Sequence, residues 1–213
     1  LLQDSLDEKV VLLKEVHHRV KNNLQIIASL LSLQANQIDD EETLELFANS
    51  EHRVRAMATI HERLYLSEDL AKINFGGYVE SLAEGLTSQN ISLLTSVDQI
   101  TLDLDQAIPC GLMINELVSN SLKYAFVDGR KGILEVKMSA LAEGYRLSVR
   151  DDGIGFPEDI DFRKSPSLGL QLINTLAHQL RGQIEMKNHL GTEFIVTFPA
   201  DRQGDSRDEV SPA

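Results

Sequence analysis

The chain has 213 residues, of which 42% are apolar and 25% charged, so it can bury a substantial core in one large domain or two small ones. A formal net charge of −13 excludes a nucleic-acid backbone or an anionic membrane as its main partner, since both repel an acidic surface. The lone cysteine, Cys110, excludes an intrachain disulfide and is read as a small buried hydrophobe in a reducing, cytoplasmic compartment.

Residues 1–70 contain neither Gly nor Pro, which is the composition of long helices. Leu6, Leu13, Val20, Ile27 and Gln34 recur every seven residues, and Val10, His17, Leu24, Leu31 and Ile38 form a second row beside them. A stripe of that length predicts a coiled-coil or helical-bundle seam. Asn36–Asp40 is polar and turn-like. A second helix is predicted over Glu41–Leu66, with Leu44, Phe47, Val54, Met57, Ile60 and Leu64 on its apolar side. Two helices joined by a short loop make a hairpin, and two hairpins make a four-helix bundle that buries both stripes, so a homodimer is expected. The sequence opens in mid-pattern with Leu-Leu-Gln and no Met, as expected of a fragment. It shows no signal peptide and no apolar run long enough to span a bilayer.

After Asn74 glycines appear regularly and short strand-like runs alternate with helical ones. The predicted order is a helix over Tyr78–Thr87, strands at Ile91–Ser96 and Thr101–Asp103, and a helix over Ala107–Ala125. Strands at Ile133–Ser139 and Tyr145–Arg150 follow, then a glycine-containing loop, Asp151–Pro166, and a helix over Leu168–Leu180. Strands at Gln183–Lys187 and Glu193–Phe198 close the domain. The fold class is α+β: helices packed on one face of a mixed, largely antiparallel sheet. The expected division is a hairpin over 1–72, an α/β sandwich over 73–200 and a polar, disordered tail over 201–213.

Two histidines stand side by side in the first helix, within Glu15-Val-His-His-Arg-Val-Lys-Asn-Asn-Leu-Gln25. The heptad pattern places His17 in the seam and His18 on the flank, where solvent and a docking domain reach it. A neutral imidazole is nucleophilic, so an exposed His on a rigid helix can accept a phosphoryl group. Arg19 and Lys21 either steady phosphate charge or are ordinary solvated helix charges. Asn22 and Asn23 are mediocre helix formers in mid-helix, which a purely structural coil has little reason to keep.

Three motifs in the second half suggest a nucleotide site. In Asn115-Glu-Leu-Val-Ser-Asn-Ser-Leu-Lys-Tyr-Ala125, helical spacing puts Glu116, Asn120 and Lys123 or Tyr124 on one face. The Asn120 amide oxygen suits Mg²⁺, Lys123 can meet a phosphate, and Tyr124 lies either against a base or in the core. Asp151-Asp-Gly-Ile-Gly-Phe-Pro157 follows a strand. There Gly153 and Gly155 permit positive φ and close backbone approach, and Asp151 can accept from the exocyclic amine of adenine. Read alone, it is also an ordinary acidic turn. Ser167-Leu168-Gly169-Leu170-Gln-Leu172 opens a helix whose unpaired N–H groups suit an anion. The segment 158–167 between them can act as a lid. Gly191-Thr192 either places a hydroxyl near phosphate or makes a hairpin turn.

In order and spacing these three motifs resemble the N, G1 and G2 boxes of the GHKL (Bergerat-fold) ATPases. His-His-Arg-Val-Lys-Asn-Asn-Leu-Gln resembles the H-box of the HisKA_2 histidine kinases, relatives of the HWE group. The resemblance runs from about Lys14 to Phe198. It implies that His18, in His18-x-x-Lys21-Asn22-x-Leu24, is the phospho-acceptor and His17 is not. It implies Asn120 as the Mg²⁺ ligand, Asp151 as the reader of adenine, and Gly153, Gly155 and Gly169 as close-approach glycines, with Leu168, Leu170 and Thr192 beside the nucleotide. Two positions depart from the commoner pattern: Arg19 stands where an acidic residue follows the acceptor, and Ser167 replaces the first glycine of the G2 box. The expected function is an ATP-dependent, Mg²⁺-requiring protein-histidine kinase that passes its phosphoryl group to an aspartate of a response-regulator receiver domain. An upstream sensor domain is expected in the full chain. Glu116 is preferred over Glu15 as the general base. The rivals are a serine kinase or ATPase of the same superfamily and a degenerate nucleotide-binding scaffold.

Overall fold

The computed structural model describes residues 2–66, 73–86 and 90–200. The expected domain boundary at 72/73 adjoins 67–72, and the expected disordered tail is 201–213; both segments lie outside the described residues. Helix α1 (Leu2–Ala35) turns back into α2 (Glu41–Leu66). Asp40 begins α2 as a cap: its Oδ2 accepts from the Thr43 hydroxyl at 2.5 Å and from the Thr43 backbone N–H at 2.8 Å, and the two bonds, the hydroxyl's first, hold the Asp40 carboxyl below its ordinary range. The two rows of the α1 stripe are covered unequally. His17, Leu24 and Leu31 of the second row are half-buried in the hairpin around a fully buried Ala28, though Val10 is exposed; in the first row Leu13 and Ile27 are 49% and 45% exposed, and Val20 is half-buried. Val16, Ile26, Leu30 and Leu33 are also exposed. One chain therefore covers only half of the predicted seam.

The remainder is an α+β sandwich, as the strand and helix pattern predicts. Strands β2 (Ile91–Val97), β4 (Gly132–Leu141), β5 (Gly144–Asp151), β6 (Gln183–Asn188) and β7 (Thr192–Pro199) form one sheet in the order β2-β4-β5-β7-β6. Only the β2–β4 pair is parallel. Alternate residues such as Leu134, Val136 and Met138 on β4 point into a core shared with α4 (Leu104–Asn120) and α5 (Leu168–Gln179). Cys110 lies in that core with no exposure, and burial pushes its thiol up.

Two elements differ from expectation. The predicted strand at Thr101–Asp103 forms as β3 (Thr101–Leu102), but it pairs with an unanticipated β1 (Ile73–Asn74) and not with the main sheet. The helix predicted at Tyr78 starts at Phe75 as α3 (Phe75–Leu86), because the Asn74 side chain accepts from the Gly77 N–H at 3.3 Å and caps the first turn; the predicted end, Thr87, lies outside the described residues.

The hairpin is docked on this sandwich. Ala56 and Ile60 of α2 belong to the same buried cluster as Tyr78, Met113 and Leu117. Gly111 allows the approach: a Cβ there would sit 2.5 Å from the Tyr78 hydroxyl and 2.8 Å from Ile60 Cδ1. Ile60 is fully buried, a contribution of about 1.5–3 kcal/mol.

Candidate nucleotide site and phospho-acceptor helix

Between the end of α4 and the end of β5 lies a cavity of about 440 Å³, lined by Asn120, Ser121, Tyr124, Asp151, Leu170 and Thr192 among others. That size is ordinary for a small-molecule site. The helix predicted to run to Ala125 changes character at its end: α4 stops at Asn120 and Ser121–Ala125 forms a π-helical turn. Such widened turns recur at functional sites, and this one swings Ser121 towards the last residue of β5. Ser121 Oγ donates to Asp151 Oδ2 at 2.9 Å, while Asp151 Oδ1 accepts from the N–H groups of Gly153 at 3.0 Å and Thr192 at 3.1 Å. Asp151 is only 3% exposed, so these three donors are what make a buried carboxylate tolerable. Asp151 is also part of the cavity lining.

The glycines work in different ways. Gly155 has the predicted positive φ (87°) and lines the cavity. Gly153 does not need a positive φ; a Cβ there would lie 2.4 Å from Ala125 Cβ, so it is required for the close approach of loop and π-turn. Gly191 is the most constrained: φ is 105°, and a Cβ would meet the Asp151 carbonyl oxygen at 2.0 Å. Gly191-Thr192 closes the hairpin turn between β6 and β7, and the Thr192 backbone N–H donates to Asp151. Asn188 clamps the loop by accepting from the Phe156 N–H at 2.8 Å and donating to its carbonyl at 2.6 Å. The expected lid is anchored at Phe162, which is buried edge-on against Phe194 at 5.5 Å. Ile160, Ser165 and Ser167 of that segment form one wall of the cavity.

Of the predicted nucleotide residues, Asn120, Tyr124, Asp151, Gly155, Leu170 and Thr192 line the cavity, whereas Lys123, Gly153, Leu168 and Gly169 do not. Tyr124 is exposed at the cavity wall, so it is not a core tyrosine. Lys123 is turned outward to the hairpin, donating to Glu45 and Asn49 at 2.8 Å each. Glu116 is buried, and both its oxygens accept from Arg53 of α2, at 2.7 Å and 2.8 Å. Gly169 sits against that pair: a Cβ would lie 2.8 Å from Glu116 Oε2 and 3.8 Å from the side-chain nitrogens of Arg53 and Asn120. Among the described residues no cluster of three His, Cys, Asp or Glu side chains could hold a metal ion.

On α1, His18 is exposed on the flank, and its Nδ1 lies 3.4 Å from the Asn22 amide one turn on. His17 turns into the hairpin, with its Nδ1 3.3 Å from that of His61 on α2. Burial and the neighbouring His17 hold His61 below its ordinary value. Arg19 is exposed and pairs with Glu15 at 2.7 Å. Lys21 is largely covered and pairs with Glu62 of α2, so it braces the hairpin and does not share the His18 flank. Sequence reasoning missed Ser121, Arg53, Asn188 and His61. Only Ser121 carried a signal, since it lies next to Asn120 within a motif.

Residues 15–90 match the HisKA_2 family, described as histidine kinase. Residues 105–202 match the family described as histidine kinase-, DNA gyrase B-, and HSP90-like ATPase. The sensor histidine kinase PdtaS of Mycobacterium tuberculosis is 32% identical over 209 residues, covering 94% of this chain and 42% of that protein. The blue-light-activated histidine kinase 2 of Erythrobacter litoralis is 27% identical over 202 residues, covering 90% of this chain and 58% of that protein. This chain therefore spans less than two thirds of either relative. A solved histidine kinase domain from an E. litoralis blue-light activated histidine kinase superposes with a TM-score of 0.68 at 26% identity, covering 92% of this chain and 94% of that one.

Proposed function

This chain belongs to the histidine kinases that join a HisKA_2 domain to a GHKL-type ATPase domain, and we propose from that premise that it phosphorylates its own His18 from ATP. In this reading residues 1–72 dimerise and carry the acceptor, and 73–200 bind ATP. The phosphoryl group then passes to an aspartate of a response-regulator receiver domain docked beside His18. The protein works in the cytoplasm, downstream of a sensor domain. No described helix is long and apolar enough to cross a membrane.

The observation that carries the reading is Asp151, a buried carboxylate fixed by three donors and lining a cavity that also reaches Asn120. An acceptor so fixed can take a hydrogen bond from the adenine amine, and a base that offers a carbonyl there leaves it unpaired. Tyr124, Ile154 and Phe156 supply apolar walls. Asn120 would offer a hard amide oxygen to Mg²⁺, and the ion would supply charge neutralisation at the triphosphate. Transfer is in-line: a P–N bond forms to a His18 ring nitrogen as the bond from Pγ to the bridging oxygen breaks. ADP leaves with that electron pair, and the proton on the other ring nitrogen is released to a base, for which the candidate is Glu116, beside Gly169 and paired with Arg53. The exposed apolar row of α1, including Leu13 and Ile27, supports a homodimer through the hairpin.

Incubation with γ-labelled ATP and Mg²⁺ tests the reading. The expected product is an acid-labile, alkali-stable phosphoprotein, retained in His17→Ala and absent from His18→Ala. Label that survives His18→Ala, or that is acid-stable, would replace it with another acceptor. Tight ATP binding with no label would favour the scaffold reading.

A further inference from the structure

We propose that Arg53, on the second hairpin helix, is a positioning residue for phosphoryl transfer, acting through Glu116. The inference rests on the histidine-kinase reading and assigns to the helical hairpin a part in shaping the nucleotide site itself.

Arg53 and Glu116 come from different domains, 63 residues apart, and meet in a two-bond fork in which their side chains are only 14% and 9% exposed. A pair so far out of water is a weak source of stability, because desolvation of both charges offsets their attraction; apolar side chains would fill the same interface at lower cost. Its location gives it another use. The pair borders the first turn of α5 at Gly169, where Arg53 Nη2 and the Asn120 amide nitrogen would each lie 3.8 Å from a Cβ. Glu116 and Asn120 are one turn apart on α4, so fixing the rotamer of the first fixes its placement relative to the proposed metal ligand. A guanidinium does this better than an ammonium, since its planar fork holds both carboxylate oxygens at once.

The contact is part of a row. Glu45, Asn49 and Arg53 are spaced four apart on α2, and the first two hold Lys123 in the π-helical turn that follows α4. The row therefore registers the hairpin, which carries His18, against the face of α4 that carries Glu116 and Asn120. Glu116 is held in one orientation only while α2 lies on α4, so the acceptor's domain sets the geometry of the donor's site.

The test compares wild type with Arg53→Ala, Arg53→Lys and the exchanged pair Arg53→Glu/Glu116→Arg, all on the whole chain. Two quantities are read: the rate of His18 labelling at saturating Mg·ATP, and the Kd of a fluorescent ATP analogue. Arg53→Ala should slow labelling by about tenfold or more while the Kd moves less than about threefold, a loss made in the transition state and not in binding. Arg53→Lys should recover only part of the rate, about a third of it, because the fork is lost. The exchanged pair should restore the ion pair but not the rate, because the carboxylate is no longer on α4. Several results overturn the inference: an unchanged or faster Arg53→Ala, a wild-type rate in Arg53→Lys, equal losses in rate and affinity, or full rescue by the exchanged pair. Should Arg53→Ala not fold, Arg53→Lys still decides. A wild type that takes no label at His18 would remove the kinase reading and this inference together, whereas a labelled wild type beside an insensitive Arg53 series removes this inference alone.

Discussion

In the sandwich, each wall of the nucleotide cavity is supplied by one chain, and its key acceptor is fixed from three sides by a π-turn, a loop amide and a hairpin amide. In the hairpin, the imidazole of His18, the proposed acceptor, stands exposed on a helix flank, and half of the apolar stripe beneath it faces outward. The first site is made by backbone geometry that tolerates little change. The second is made by a single side chain, and what it does depends on what reaches it. The two regions should therefore fail in different ways when altered, although both are needed for the same labelled product.

The largest effects separate those failures. His18→Ala should abolish labelling while leaving ATP binding and the melting temperature unchanged, since an exposed helix side chain is removed without opening a cavity. Gly191→Ala should also abolish labelling, but by loss of nucleotide binding and of domain stability. Its Cβ would overlap the Asp151 carbonyl, and the residue has a φ of 105°. Calorimetry with an ATP analogue, run beside thermal melts, reads the difference. If Gly191→Ala binds nucleotide normally, the site is less dependent on its backbone than the comparison holds.

A smaller effect is expected where the hairpin is incomplete. Leu13→Asp combined with Ile27→Asp places charge on the exposed row and should weaken self-association by more than about tenfold, read by sedimentation. Because neither side chain belongs to the core cluster, each chain should keep its fold and its ATP affinity. Unchanged association would move the dimer contact off this face.

Legibility followed the range of the interactions. The second helix has the predicted limits because its start is a local cap at Asp40, readable from adjacent residues. The opposite fates of His17 and His18 were legible because a seven-residue repeat fixes which face each occupies. Asn120 and Asp151 were legible as motif residues, and they do meet in one cavity. What sequence could not supply were partners brought together by tertiary docking. Nothing local to Arg53 points to Glu116, and nothing in Lys123 says that it faces Glu45 and not a phosphate. The β1–β3 pair was missed because two-residue strands have no periodicity. Gly153 reads as a residue of positive φ and close approach to a ligand, whereas its φ is not positive and the approach it permits is to Ala125, in a turn distant in sequence.

The smallest expected effect concerns the contact between two histidines inside the hairpin. His61 is held below its ordinary value of 6.5, first by burial and then by repulsion from His17, whose Nδ1 lies 3.3 Å from its own. In the unfolded chain the His61 ring takes up its proton freely. Between the folded value and 6.5 the unfolded state therefore binds more protons, and stability must rise with pH across that window. The contribution is fully present above 6.5 and is lost as pH falls through the lower, folded value. Melting temperature should thus drop on acidification from about pH 7.5 to about pH 5.5, and His61→Gln should flatten that dependence. The sandwich offers a control within the same molecule, since burial of Cys110 pushes its thiol upward, away from this range. A drop that persists in His61→Gln would place the sensitive group elsewhere. A melting temperature independent of pH in wild type would mean that His61 accepts its proton as readily in the folded hairpin as in the unfolded chain.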